Sequence, residues 1–169
     1  MIGDVIFFRK ENTFISSVIA KVTNSEFTHV GLIIGYDEAT KVATIIESNR
    51  FVDTRIDRIE LDELRHVVYT TGDKSQSQID RILEYANRTI GIKYDYLQII
   101  GFLFTFMFKS HGRKWFSRWF NSKNKLICSE LIDLVYYKAG IKRNNVIDLG
   151  NVTPQELLQV YDFRLKKED

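Results

Sequence analysis

The chain of 169 residues has few of the residues that form disulfides or that interrupt helices and strands. It contains one cysteine and one proline. A single cysteine excludes an internal disulfide and a metal site made of spaced cysteines. Because the proline, Pro154, lies near the end and there are no low-complexity stretches, no linker between domains is indicated. We therefore expect one domain over residues 1–169.

Signals for export and for nucleic acid binding are also weak. The first ten residues lack the basic start and the long apolar run of a secretory signal, which favours a cytoplasmic protein. The net charge of +2 is too small to indicate a nucleic acid partner, so none is expected. Hydrophobic residues at 44% and charged residues at 27% are typical of a folded globular protein.

The apolar pattern predicts an α+β fold, with an antiparallel sheet packed against helices. Alternating or β-rich runs predict strands over residues 4–8, 28–36, 42–48 and 66–71. Helical spacing predicts helices over residues 12–22, 75–87 and 128–139, and another that begins near Thr153. Capping signals support these bounds: Ser75 with Gln78, Gly140 after the third helix, and Thr153 with Pro154 and Glu156.

The only cysteine, Cys128, lies in the first turn of a predicted helix. Leu131, Ile132 and Val135 follow at helical spacing, so the thiol is expected on the same side as the buried stripe. The free amides and partial positive charge of a helix N-terminus favour a thiolate and can hold an oxyanion. This segment by itself favours a small buried cysteine of the core over a catalytic one, because cysteine is common in cores.

A histidine and a glutamate lie on the two strands of the predicted hairpin. If its loop is centred on Glu38, His29 lies directly opposite Glu47, with their Cβ atoms about 5 Å apart. The carboxylate would then orient the imidazole and stabilise its cation. A loop with an even number of residues would instead place them on opposite faces, and both residues could simply face solvent. His66 and His111 are expected at the surface.

Six short motifs occur in one order along the chain. They are GDVIFF at residues 3–8, THVG at 28–31, IES at 46–48, YD at 94–95, CSEL at 128–131 and TP at 153–154. In this order they resemble the permuted papain-fold cysteine hydrolases related to NlpC, of the YiiX/YaeF type. The resemblance implies a circularly permuted papain-like fold, in which the histidine precedes the orienting residue and the cysteine.

The resemblance also implies roles for individual residues. Cys128 would be the nucleophile, His29 the general base and Glu47 its orienting partner, while Tyr94 and Ser129 would contact substrate. The implied reaction is cleavage of an amide or ester through a thioester acyl-enzyme. It requires neither a metal nor an organic cofactor.

Residues 96–125 form an apolar and basic insertion. There is no acidic residue between positions 96 and 129, and the aromatic residues include Trp115, Phe116, Trp119 and Phe120. The apolar run at 97–108 is too short to span a bilayer, but tryptophan beside arginine and lysine suits a membrane interface. The insertion is therefore interpreted either as a lid or lipid-docking element, or as a buried helix followed by a solvated basic loop.

Several partners stay open at the level of sequence. NlpC relatives suggest a peptide or cell-wall amide as substrate. The lecithin:retinol acyltransferase-like relatives and the aromatic insertion suggest a lipid or N-acyl substrate, with acyl transfer as an alternative to hydrolysis. A non-catalytic module that binds membrane surfaces is the rival hypothesis from another class, and the protein would then be peripheral at the membrane.

Overall fold

A computed structural model of the chain describes residues 1–9, 25–48, 53–94, 125–144, 147–149 and 152–166. The strands within these ranges are β1 (Val5–Arg9), β2 (Phe27–Asp37), β3 (Val42–Glu47), β4 (Arg55–Glu60), β5 (His66–Thr70), β6 (Lys93–Tyr94), β7 (Lys125–Leu126) and β8 (Arg164–Leu165). The helices are α1 (Gln76–Asn87), α2 (Cys128–Lys138) and α3 (Pro154–Val160).

Six strands form one antiparallel sheet in the order β4-β3-β2-β1-β5-β8. The first strand of the chain therefore lies in the middle of the sheet, between β2 and β5. The other two strands, β6 and β7, pair with each other in parallel. This arrangement confirms the predicted α+β class with an antiparallel sheet packed against helices.

The four predicted strands correspond to β1, β2, β3 and β5, with bounds that differ by one residue at most ends. Strands β4, β6, β7 and β8 were not predicted. Strand β4 was missed because it lies at the edge of the sheet and four of its six residues are charged, so it lacks the apolar pattern of a buried strand. The predicted helix over 12–22 and the insertion with Trp115, Phe116, Trp119 and Phe120 lie outside the described residues.

Helix α2 packs on one face of the sheet and forms the main core with it. Leu131, Ile132 and Val135 are fully buried, as their spacing predicted, and the cluster includes Phe7 and Val30 from the sheet. Each large apolar side chain buried in this way contributes about 1.5–3 kcal/mol to stability. The helix that begins with Cys128 is thus held on the sheet by its own apolar stripe.

The other face of the sheet is packed more closely around a glycine. Ile6, Ile33 and Ile45 are fully buried there in a second cluster. A Cβ atom added at Gly31 would lie 3.0 Å from Cδ1 of Ile45 and 3.3 Å from Cγ2 of Ile6. Because real Cβ atoms do not approach so closely without displacement of a neighbour, Gly31 allows this packing on the strand that carries His29.

The predicted helix caps are confirmed. Ser75 and Gln78 form a capping box at the start of α1. At the start of α3, the hydroxyl of Thr153 accepts a hydrogen bond from the Glu156 amide, and Pro154 is the first helical residue. Gly140 follows α2 with a φ of 77°, a left-handed conformation that favours glycine and ends the helix.

A buried polar cluster connects α2 to residues that follow it in the chain. Asp133 is fully buried, and its two carboxylate oxygens accept hydrogen bonds from Nε and Nη2 of Arg143 at 2.8 and 3.0 Å. The hydroxyl of Tyr161 donates to the same carboxylate at 2.9 Å. Burial, reinforced by the charge of Asp133, raises the pKa of Tyr161, so the phenol stays protonated. Helix α2 is therefore tied to the segments that follow it.

Candidate active site

Cys128 is the first residue of α2, at the positive end of the helix. The preceding residue, Ile127, has no polar side chain and gives the first turn no side-chain cap. The carboxylate of Glu130 accepts a hydrogen bond from the backbone N–H of Ile127 at 3.1 Å, which fixes the entry into the helix. The first-turn amides therefore lie beside the sulfur without a capping side chain, where they favour negative charge.

His29 and Glu47 are in direct contact, as the sequence predicted. Nε2 of His29 lies 2.7 Å from Oε2 of Glu47. The glutamate side chain is only 5% exposed and the histidine side chain 19% exposed. A charge-assisted hydrogen bond that is shielded from water fixes the imidazole ring of His29 and stabilises its cation.

The predicted register behind this contact is wrong. The four-residue loop at 38–41 follows the pairing of Asp37 with Val42, and this even loop alone would place His29 and Glu47 on opposite faces. Between Ile33 and Gly35 the register shifts by one residue. That bulge returns the two side chains to one face but leaves them two positions out of direct opposition, so they meet diagonally.

The ring of His29 is also held by an aromatic side chain. Phe8 is its cross-strand partner on β1, and the two ring centroids are 5.0 Å apart. On its other side Phe8 meets His66, at 4.9 Å. His66 is half-buried rather than fully at the surface: its Nδ1 accepts a hydrogen bond from the Asp62 amide, and burial lowers its pKa.

The surroundings of His29 favour its protonated form. Burial by itself lowers the pKa of His29, but the electrostatic effect of Cys128, hydrogen bonds with Cys128 and Glu47, and the charge of Glu47 together raise that pKa to about 9. Because Nε2 is bonded to Glu47, Nδ1 is the nitrogen left for Cys128. At neutral pH the imidazole therefore carries a proton between two acidic groups.

Arg55 is a site residue that the sequence did not reveal. It is the direct cross-strand partner of Glu47, and its Nε and Nη2 lie 3.3 and 3.2 Å from Oε1 of that glutamate. Its Nη2 also lies 2.6 Å from Oδ2 of Asp57. The sequence signal for Arg55 was its spacing of two residues from Asp57, which places both on one face of a strand. That signal can be used only after β4 has been recognised as a strand.

The two predicted substrate-binding residues have different surroundings. The backbone of Tyr94 pairs with Leu126 in β7, two residues before Cys128, so the Tyr94 backbone lies on the strand pair that leads to the nucleophile. Ser129 is fully buried, and its hydroxyl donates to the carbonyl of Val152. That contact accounts for the Ser129 side chain structurally and does not support its predicted role in substrate contact.

A sheet that presents a histidine–carboxylate pair to a cysteine at a helix N-terminus defines the papain-like class of cysteine hydrolases. Residues 1–160 match the family model of the permuted papain-like amidase enzymes YaeF/YiiX, the C92 family, and the chain belongs to this family. The predicted family and the predicted permuted papain-like fold are thus confirmed. No curated protein matches the chain significantly.

A solved structure has a similar fold over the whole chain. It is the crystal structure of yiiX from Escherichia coli O157:H7, described as a metalloprotein, with a TM-score of 0.62 and 18% identity. The match covers 100% of this chain and 97% of that chain. In the part of this chain that the structure describes, no group of three or more histidine, cysteine, aspartate or glutamate residues is placed to hold a metal ion. Among the same residues, none of the helices is long and apolar enough to cross a membrane.

Proposed function

We propose that the protein is a cysteine amidase whose catalytic triad is Cys128, His29 and Glu47. The observation that carries the proposal is the 2.7 Å contact between His29 and Glu47 beside a cysteine whose charge acts on the same ring. Membership of the permuted papain-like amidases supports hydrolysis of an amide. Nucleophile, base and orienting residue are then all present in one place.

The first step is attack by the thiolate. His29 takes the thiol proton of Cys128 on Nδ1, so that Cys128 Sγ attacks as the thiolate. Sγ bonds to the carbonyl carbon of the amide, and the carbonyl π electrons move to oxygen. The first-turn amides of α2 hold that oxyanion, because they lack a side-chain cap and lie at the positive end of the helix.

The second step releases the amine and leaves a thioester on Cys128. Imidazolium His29 donates its proton to the amide nitrogen as the carbon–nitrogen bond breaks. Water then attacks the thioester, His29 accepts one of its protons, and the carbon–sulfur bond breaks to give the free acid. Throughout, Glu47 keeps Nε2 protonated and the ring in plane, so that Nδ1 alone exchanges protons.

The acyl group that becomes attached to Cys128 defines the substrate class. The proposal includes a peptide or cell-wall peptide amide and an N-acyl amide. The ester and acyltransferase hypotheses stay predictions. Membrane binding also stays a prediction, because it depends on residues 97–120, which lie outside the described residues. The kinship with NlpC stays a prediction as well.

The proposal is tested by trapping the acyl-enzyme. The protein is mixed briefly with cell-wall peptides or with N-acyl amide lipids, quenched in acid and measured as an intact protein by mass spectrometry. We expect a mass increase on Cys128 that hydroxylamine removes, and its size identifies the acyl group. Cys128→Ala is the matched control, because the chain has no other cysteine to react.

A second measurement separates an enzyme from a binding module. Iodoacetamide should alkylate Cys128 rapidly at mildly acidic pH, where ordinary thiols react slowly, and much more slowly in His29→Ala. Equally slow alkylation of both proteins would contradict the triad and favour the non-catalytic hypothesis.

A further inference from the structure

A line of charged side chains runs from the candidate triad across the sheet to solvent. It passes from His29 on β2 to Glu47 on β3, and then to Arg55 and Asp57 on β4. The side chains of His29 and Glu47 are 19% and 5% exposed, whereas those of Arg55 and Asp57 are 46% and 37% exposed. The base is therefore connected to the surface through one buried carboxylate and one accessible guanidinium.

We propose that Arg55 is a positioning residue of the active site, which acts by holding the carboxylate of Glu47 against His29. The proposal rests on the proposed function and extends it to a fourth residue. Arg55 does not touch the reacting atoms in this arrangement. Its effect is transmitted entirely through Glu47.

His29 and Arg55 contact different oxygens of the Glu47 carboxylate. Both Nε and Nη2 of Arg55 lie near Oε1, at 3.3 and 3.2 Å, while Oε2 lies 2.7 Å from Nε2 of His29. Two donors on one oxygen restrict rotation of the carboxylate about its terminal bond. The other oxygen is thereby kept in position to bond Nε2 of His29.

Burial makes a permanent positive charge beside Glu47 favourable. Glu47 is almost inaccessible to water, so its charge is stable only beside positive groups. His29 supplies such a group while it is protonated but loses it when it donates its proton to the leaving amine. Arg55 keeps its charge at every pH of interest, so Glu47 stays ionised and in place while His29 is neutral.

Asp57 fixes Arg55 in turn. It lies two residues further along β4, and its Oδ2 accepts a hydrogen bond from Nη2 at 2.6 Å. Because residues two apart on a strand share a face, the guanidinium is held between Glu47 and Asp57. Lysine offers one nitrogen on a flexible stem and cannot reproduce this planar bridge.

The test is a double-mutant cycle read by the rate of Cys128 alkylation with iodoacetamide at pH 6. We expect Arg55→Ala to slow alkylation about tenfold in the otherwise native chain and to have no further effect in a Glu47→Gln background. Arg58→Ala removes another arginine of β4, which pairs with Thr44 and lies on the opposite face of the strand from Arg55, and it should leave the rate unchanged. Circular dichroism checks that each variant is folded.

Chemical rescue gives an independent readout. Because Arg55 is about half exposed, guanidinium ions at millimolar concentration can enter the space that its side chain leaves. They should restore alkylation in Arg55→Ala but not in Arg55→Ala combined with Glu47→Gln. If Arg55→Ala does not fold, Arg55→Lys retains the charge and should show an intermediate rate.

The failures of the two proposals are distinguishable. Slow alkylation that His29→Ala does not alter would overturn the triad itself. Strong dependence on His29 with a native rate in Arg55→Ala would overturn the role of Arg55 alone. An equal loss in the native and Glu47→Gln backgrounds, or no rescue by guanidinium, would also overturn it, because Arg55 would then act on the general stability of the sheet.

Discussion

The two halves of the candidate site are held in place by different kinds of interaction. The nucleophile half is embedded: Cys128 begins a helix whose apolar stripe is buried and whose Asp133 is tied to Arg143 inside the protein. The base half lies on the sheet, where His29 and Glu47 lead outward to a partly exposed Arg55. The interactions of the nucleophile half fix the position of Cys128, whereas those of the base half set the proton affinity of His29.

This division has an energetic consequence. An ion pair shielded from water is costly to break, because removal of one partner leaves an uncompensated charge. A charge near the surface is screened, and its effect on stability is small, although its effect on a neighbouring titratable group persists. We therefore expect mutations of the Asp133–Arg143 pair mainly to alter folding, and mutations in the base half to alter reactivity and its pH dependence as well as stability.

The largest effect is expected at the base itself. His29→Ala removes the general base and acid and should lower turnover of any amide substrate by about 10²–10⁴-fold. Its free energy of unfolding should also fall at neutral pH, because the protonated ring stabilises the folded protein there. His66→Ala is the matched control, since it removes the other ring that contacts Phe8. A large loss of turnover in that control would show that the packing of His29, Phe8 and His66, rather than the base, sets the rate.

In the nucleophile half, Asp133→Ala should have its main effect on folding. It leaves Arg143 buried without its carboxylate and should lower the free energy of unfolding by about 3–5 kcal/mol, measured by urea denaturation. Asp162→Ala removes the aspartate of a different arginine pair, whose side chains are mostly exposed, and should have little effect. Similar losses in both variants would contradict the argument that burial makes the Asp133–Arg143 pair costly to break.

The pH dependence of the base half follows from the pKa of His29. That pKa is raised above its ordinary value of 6.5 to about 9, so the stabilisation of folding by the protonated ring is complete below pH 6.5. It is lost as the pH rises through about 9, together with the imidazolium that protonates the leaving group.

Replacement of the acidic neighbours should move this transition to lower pH. Cys128→Ala should lower the pKa of His29 more than Glu47→Gln does, because the charge of Cys128 is the larger cause of the rise. With only three histidines in the chain, NMR titration of the ring carbons resolves His29 directly. Unchanged midpoints in both variants would show that neither neighbour controls the proton.

The smallest effect is expected from the ring that supports His29. Phe8→Leu keeps the apolar character of the position but removes the aromatic contacts with His29 and His66. It should lower stability by about 1 kcal/mol and slow alkylation of Cys128 only a few-fold. Ile2→Leu, at an exposed position, is a suitable control. A loss as large as that of His29→Ala would place Phe8 among the residues that determine reactivity.

Local signals in the sequence were sufficient for much of the fold. Ser75, Gly140 and Thr153 mark helix ends because capping depends on a few neighbouring residues, and Cys128 was correctly placed at a helix start. The pairing of His29 with Glu47 was predicted from an incorrect register. Its success depended on the bulge near Ile34, which no local pattern reveals, because bulges result from the packing of neighbouring strands.

Arg55 was missed for a related reason. Its strand has charged residues at four of six positions and lies at the edge of the sheet that the described residues form, so it lacks the apolar alternation by which strands are recognised. The contact with Glu47 exists only through cross-strand pairing. Charged positioning residues on edge strands are, for this reason, among the hardest site residues to identify from a single sequence.

The parallel pairing of β6 with β7 constrains how the chain can be engineered. Lys93 lies beside Lys125, and Tyr94 lies beside Leu126, with both strands running in the same direction. Two such strands cannot be joined by a tight turn and need a connection of about a dozen residues or more. A deletion that tests the aromatic segment must therefore keep a crossover of at least that length. A shorter splice would pull β7 away from β6 and displace the helix that starts two residues later.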